Sequence, residues 1–190
     1  MRVSREQAAK NRAHVIDTAA RLFREKGYSG IGVADLMKEA GLTHGGFYGN
    51  FDSKEDLMVA ACTRAFDGTA ERWSTLLATN PDTALAQIVA TYLSRKHVDH
   101  PGQGCAMAAL GGELARLSEP VRSVTTQGVR AQIDVLAPLM DGGSARDQRR
   151  AAMAAYAGMV GALVLARAVD DAALGDEIMG AVQAQVMKER

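Results

Sequence analysis

The sequence predicts an all-α protein of about nine helices, and three observations carry that reading. β-Branched residues are scattered and no stretch alternates apolar with polar side chains for long, so strand signals are absent. Alanine, the strongest helix former, is abundant along the whole chain. Breaker clusters such as Asn80-Pro81-Asp82, His100-Pro101-Gly102 and Asp141-Gly142-Gly143-Ser144 cut the chain into helix-length pieces.

The elements follow in order. Glu6 to Lys26 places Val15, Ile16, Ala19, Ala20 and Phe23 on one helical face, and Gly27 ends it with Lys26 in the last turn. Val33 to Ala40 is a short helix with Val33, Leu36, Met37 and Ala40 inward, stopped by Gly41. Thr43 is a suitable N-cap for a brief segment, 43–50, that carries Gly45, Gly46 and Gly49. Ser53 with Asp56 forms a capping box with Asp in place of Glu, and opens a long helix to about Ala78. Its apolar stripe is Met58, Cys62, Ala65, Thr69, Trp73 and Leu76. Further helices are predicted at about 83–97, 105–116, 119–138, 145–168 and 172–188, with no solenoid-type repeat.

Length and composition bound the function. With 190 residues the chain can bury a real core, and 47% hydrophobic with 23% charged residues argues against wholesale disorder. Met1 to Lys26 is charged throughout, unlike a signal peptide, and the uncharged run 151–166 is shorter than the roughly 20 residues of a spanning helix. The expectation is a cytoplasmic protein that crosses no membrane. Cys62 and Cys105 supply neither a disulfide framework nor metal-ligand spacing, so no metal and no other cofactor is expected. His97 and His100 read as a surface helix end rather than as ligands. A net charge of zero excludes a globally basic nucleic-acid coat. Arg2, Arg5, Lys10 and Arg12 against Glu6 alone still make a basic N-terminal arm, read as a mobile tail that adds phosphate attraction.

The informative segment is Val33 to Lys54. A helix, a tight turn at Gly41 and a second short helix form a helix-turn-helix, an arrangement that places its second helix in the major groove of DNA. Small residues at the start of that second helix, His44, Gly45 and Gly46, allow close backbone approach to base edges and phosphates. Tyr48 can offer a hydroxyl to a phosphate or base. A lysine at the start of a helix is electrostatically misplaced, so Lys54 reads as a phosphate contact. Three glycines cost about 1 kcal/mol each in a helix interior, so packing of Phe47 and Phe51 must hold the reading segment.

The residues Ala34-Asp35-Leu36-Met37-Lys38-Glu39-Ala40-Gly41-Leu42-Thr43 and Gly46-Phe47-Tyr48-Gly49-Asn50-Phe51-Asp52-Ser53-Lys54-Glu55-Asp56-Leu57 resemble the TetR family of bacterial transcriptional regulators. Ala19 to Tyr28 resembles the end of that family's first helix. The motif resemblance covers about residues 10 to 58, and beyond residue 60 only the plan is similar. Two departures stand out: Gly32 where the family often has Thr or Ser, and Asn50 where it often has His. The resemblance implies a helix-turn-helix DNA-binding domain over 1–52 and a helical ligand-binding and dimerisation domain over 53–190. It implies a homodimeric repressor on double-stranded DNA with a palindromic operator, contacted by Thr43, His44, Gly45, Tyr48 and Lys54, and released by a small-molecule effector.

The rest of the chain supplies candidates for the second role. Small residues at Ala151, Ala154, Ala155, Gly158, Gly161 and Ala162 allow close helix approach, so 145–168 with 172–188 reads as the dimer seam. Trp73, Leu77, Tyr92, Met107, Leu110, Ile133, Leu136, Tyr156 and Met159 are apolar residues expected to face inward, where bundles hold ligands. Cys105, after Gly104 at a helix start, is a candidate ligand contact and a candidate redox or electrophile-sensing thiol. Two other classes are weighed. An enzyme lacks support, since no nucleophile–base–acid set, phosphate loop or metal triad is recognisable. A helical ligand carrier with a vestigial helix-turn-helix is the second; replacing Tyr48 and Lys54 with Ala should abolish DNA binding yet spare folding if DNA is the partner.

Overall fold

The computed structural model describes residues 4–188. Among them are nine α-helices, three 3-10 turns and no strand. α1 (Arg5–Lys26) starts at Ser4, whose hydroxyl accepts the Gln7 N–H at 3.1 Å, and stops at Gly27, which takes φ +79°. The basic residues Arg5, Lys10 and Arg12 therefore belong to the first turns of α1 rather than to a mobile arm; Arg2 lies outside the described residues.

α2 (Val33–Glu39) ends in a Schellman motif. The Leu42 N–H reaches the Met37 carbonyl and the Gly41 N–H the Lys38 carbonyl, both at 2.9 Å. That closure needs the left-handed backbone of Gly41, φ +67°. α3 (Lys54–Thr79) opens with the Ser53–Asp56 pair read from the sequence, its return bond taken by the residue before the cap. The Ser53 hydroxyl accepts from Asp56 N–H at 3.0 Å, and the Asp56 carboxylate accepts from Asp52 N–H at 3.3 Å.

One helix was expected over 83–97, and the structure has two: α4 (Ala84–Tyr92) and α5 (Arg95–Asp99). Ser94 makes the break. Its hydroxyl donates to the Thr91 carbonyl at 2.8 Å and accepts from His97 N–H at 3.3 Å, competing with the helical ladder. A 3-10 turn at Pro101–Gln103 leads to α6 (Ala106–Leu114), for which Cys105 is the N-cap. α7 (Glu119–Leu136) gives way to a 3-10 turn at Ala137–Leu139, earlier than the expected 138, as Pro138 lacks the N–H an α-helix needs. α8 (Ala145–Ala168) and α9 (Ala172–Lys188) close the chain.

Two apolar cores share the long helix α3. The first joins α1, α2, Phe47, Phe51 and the first half of α3 with Ala106, Leu110 and Leu114 of α6 and with Val121. The second joins Trp73, α4, the C-terminal end of α7, α8 and α9. Met107 packs against both. The first core therefore crosses residue 52 and draws on helices from the second half of the chain. α7 lies hard against α3: a Cβ added at Gly128 would stand 2.2 Å from Cγ of Phe66.

α8 is long and apolar enough to suit a membrane span by composition, but it sits in the second core. Ala152, Ala155, Tyr156, Met159, Ala162, Leu163 and Ala166 are its buried face. Met153, Val164 and Leu165, with Leu174 of α9, remain exposed along the opposite side.

Candidate nucleic-acid interface and ligand cavity

The reading segment is not a regular helix. It is a 3-10 turn, His44–Gly46, followed by further turns, so the expected helix over 43–50 is corrected to a looser form. The glycines explain the loss, and two phenylalanines explain what holds it. Phe47 and Phe51 are buried, and burial of each side chain contributes about 1.5–3 kcal/mol, enough to offset the glycine cost. Asn50 Nδ2 adds a bond to the Gly46 carbonyl at 2.8 Å.

Above this buried pair stands an exposed ridge. Tyr48 is 65% exposed, a large value for an aromatic, and the His44 ring meets it edge-on at 5.7 Å. Gly45 has open space around it. Thr43 takes the extended N-cap conformation, though its hydroxyl makes no capping bond. The Arg12 guanidinium lies over the Phe51 ring at 4.8 Å, which puts a cation of α1 beside the ridge; no sequence signal marked that pairing.

Lys54 is placed differently from the sequence expectation. Its ammonium donates to the Tyr28 carbonyl and lies 4.4 Å from the centre of the Tyr28 ring. Burial lowers its pKa, with Glu113 acting the other way. Lys54 thus fastens the start of α3 to the loop after α1.

Four long-range hydrogen bonds tie the N-terminal helices to the rest. Arg24 of α1 donates Nε and a terminal amine to the Gly102 carbonyl, the former at 3.0 Å. Ser29 N–H donates to Glu113 at 3.2 Å, and Ser118 N–H to Glu55 at 3.0 Å. The Arg24 pKa is lowered, first by burial and then by the nearby charge of Arg72.

The turn that receives Arg24 also walls a cavity of about 230 Å³ between α3, α4, α5 and the start of α6. Of the sequence candidates, Trp73, Tyr92 and Cys105 line it. Leu110 instead packs in the first core, Ile133, Tyr156 and Met159 pack in the second, and Met107 bridges the two. Sequence reasoning missed Thr69, Arg72, Leu76, Ile88, Lys96, His97, His100 and Gln103 in its lining. The break at Ser94 hides several of them, because it turns α5 back onto Tyr92.

His97 shows this most directly. It is half-buried, not a surface helix end. Its Nδ1 lies 2.7 Å from the Tyr92 carbonyl and its Nε2 accepts the Cys105 N–H at 2.9 Å. Both nitrogens are occupied, so neither is free for a metal. Cys105 Sγ lies 3.8 Å from Tyr156 Oη. Cys62 is buried in the first core, and burial pushes its thiol up to about 12, which makes it inert.

An exposed aromatic ridge on a glycine-closed helix-turn-helix, backed by a helical body with a cavity, defines a DNA-binding transcriptional regulator. Comparison with known proteins agrees and adds the family. Residues 15–61 match the family model for bacterial regulatory proteins of the tetR family. The HTH-type transcriptional repressor NemR of Escherichia coli K12 is 30% identical over 135 residues, which are 70% of this chain and 68% of that protein. The HTH-type transcriptional repressor DhaR of Mycobacterium sp. strain GP1 is 29% identical over 114 residues, 59% of this chain and 56% of DhaR. The solved structure of E. coli NemR in its reduced form superposes with a TM-score of 0.77 at 25% identity, over 94% of this chain and 96% of that one. A TetR-family regulator from Cytophaga hutchinsonii shares the fold, with a TM-score of 0.78 at 19% identity over 100% of this chain and 98% of that one. The chain belongs to the TetR family of bacterial DNA-binding transcriptional repressors.

Proposed function

We propose that this protein is a cytoplasmic homodimeric repressor, without enzymatic activity, that reads a palindromic operator in double-stranded DNA and leaves it when a small molecule fills the cavity. Thr43, His44, Gly45 and Tyr48 carry the DNA contacts, with Lys54 at the edge of that surface. The dimer forms through α8 and α9. The observation that carries the reading is the position of the turn at Pro101–Gln103. It holds Arg24 of α1 on one side, and Gln103 lines the cavity on the other. A ligand that favours one position of this turn shifts the population of α1 orientations, and with it the spacing of the two reading heads.

The test is selection of bound duplexes from a random DNA library by the purified protein at fixed near-physiological salt. One enriched palindrome, with half-sites about one helical turn or a multiple apart, is expected. Recovery without a consensus, with affinity that only fades as salt rises, overturns it.

A second reading is favoured by Cys105, whose thiol lines the same cavity, and by the likeness to a NemR structure in a reduced form. In that reading the effector acts on the thiol. Iodoacetamide, which the thiolate attacks with loss of iodide, then lowers DNA affinity of the natural chain but not of Cys105→Ser. Equal responses reject it.

A further inference from the structure

The lining of the cavity selects a chemical class of occupant, and the argument rests on the cavity being the effector site. Its depth is apolar. Trp73, Ile88 and Tyr92 are buried, and the Trp73 and Tyr92 rings are 6.1 Å apart with planes inclined by 60°. At that separation the two rings touch and form one aromatic wall, against which a planar ring can pack. Its mouth is cationic: Arg72 and Lys96 line it, both exposed, beside His100. None of the described lining residues is Asp or Glu.

Some surface cations are neutralised locally, and those at the mouth are not. Arg21, Arg64, Arg95 and Arg149 each reach a carboxylate, Glu25, Asp17, Asp176 and Asp134 respectively. Arg72 donates to the neutral hydroxyl of Thr69 at 3.0 Å, and among the described residues neither Arg72 nor Lys96 forms an ion pair. Positive charge continues behind Arg72. A second cavity of about 220 Å³ shares Arg72 and adds Arg24 and Arg64. Asp17 also lines it and is paired with Arg64 at 3.3 Å, which leaves Arg24 and Arg72 to carry the excess, and Glu25 is paired with Arg21 at 2.8 Å. The mouth therefore carries the positive charge of Arg72 and Lys96 above an apolar wall. Inside, the buried Tyr92 hydroxyl stands beside the Cys105 thiol, the two polar groups of the wall that can meet a polar ring substituent.

We propose that the cavity binds a small aromatic carboxylate, its ring against the wall formed by Trp73 and Tyr92 and its carboxylate at the mouth against Arg72 and Lys96. A cation is repelled at the mouth. A neutral aromatic gains the apolar burial but not the charge contacts.

Trp73 is the sole tryptophan, so its fluorescence reports occupancy directly. The probes are 2-naphthoate and its neutral isostere 2-naphthamide. Saturable quenching by naphthoate is expected, with affinity roughly ten-fold above that of the amide, as one or two partly solvated charge contacts supply. In the doubly substituted chain Arg72→Gln, Lys96→Gln the two probes should bind alike, with amide affinity unchanged; both residues are exposed, and thermal melting checks the fold. An amide that binds as tightly as the carboxylate, a preference that survives the double substitution, or no quenching by either probe overturns the proposal. Titration of the selected duplex separates the two readings. If the amide matches the carboxylate and still releases DNA, the effector site stands and the anion class falls. If naphthoate binds with the stated preference but leaves DNA affinity unchanged, the anion site stands and the effector reading falls.

Discussion

The Nε2 of His97 accepts the backbone N–H of Cys105 at 2.9 Å. A backbone N–H can only donate, so Nε2 presents its lone pair. A carbonyl can only accept, so Nδ1 carries the proton toward Tyr92 O, 2.7 Å away. The imidazole is therefore neutral, and it pins α5 to the start of α6. Its pKa is lowered, chiefly by burial, with the bond to the Tyr92 carbonyl opposing and the charges of Arg167, Arg72 and Arg24 adding to the fall.

A pH dependence follows from that bond. The unfolded chain binds the imidazole proton more readily than the folded one, so this contribution to stability is complete above the ordinary imidazole range. It is lost as pH falls through that range and then through the folded value. The melting temperature of the natural chain should drop from about pH 7.5 to about pH 5.5. His97→Gln can keep both bonds without titrating, and its melting temperature should fall less over the same interval. Equal slopes would show that His97 does not carry the effect.

Gly128 is required by the contact between α3 and α7. A methyl there would meet Cγ of Phe66 at 2.2 Å and both Cδ atoms at 2.5 and 2.6 Å. Both helices are anchored along their length, so the clash cannot relax cheaply. Gly128→Ala should cost about 1–3 kcal/mol by urea denaturation. Adding Phe66→Leu should recover part of it, and a double-mutant cycle without coupling rejects the contact.

Some of this was legible in the chain and some was not. Gly27, Gly41 and the Ser53–Asp56 box announce themselves by residue type at fixed offsets, and the structure places each at its helix end. The exposed ridge of Tyr48 over Phe47 was legible for the same reason, since local spacing decides it. The cavity was not. Ile133, Tyr156 and Met159 have the same apolar character as Trp73, and periodicity cannot tell a core face from a cavity wall. Its cations were harder still, because they gather only after Ser94 breaks the helix and folds α5 back. A hydroxyl competing with a helical ladder is a weak signal in a sequence.

The exposed apolar side of α8 gives a prediction for the assembly. Met153, Ala157, Gly161, Val164, Leu165 and Ala168 recur at helical spacing on the side away from the core, and Leu174 of α9 is exposed as well. If this is the dimer seam, Leu165→Glu should sediment as a monomer and lose the palindrome, which needs two heads. Leu165→Met should do neither. Leu165 is 50% exposed, so the charged variant should melt near the natural chain. A Leu165→Glu dimer that still binds the operator places the seam elsewhere.

Tyr48 and Lys54 should separate, although they stand together in the sequence motif. Tyr48 projects from the surface, so Tyr48→Ala should change folding stability by no more than about 0.5 kcal/mol while sharply weakening operator binding. Tyr48→Phe isolates the hydroxyl, and should lose about 1 kcal/mol of binding if that hydroxyl meets a phosphate. Lys54 holds the Tyr28 carbonyl and covers its ring, so Lys54→Ala should destabilise the fold by about 1–2 kcal/mol. The expectation from the sequence, that removing both would spare folding, is thereby revised. Urea denaturation and duplex titration of the three variants decide the matter. A stable Lys54→Ala that fails only in DNA binding would return Lys54 to a pure phosphate contact. A destabilised Tyr48→Ala would mean the ridge is part of the core's support rather than a reading surface.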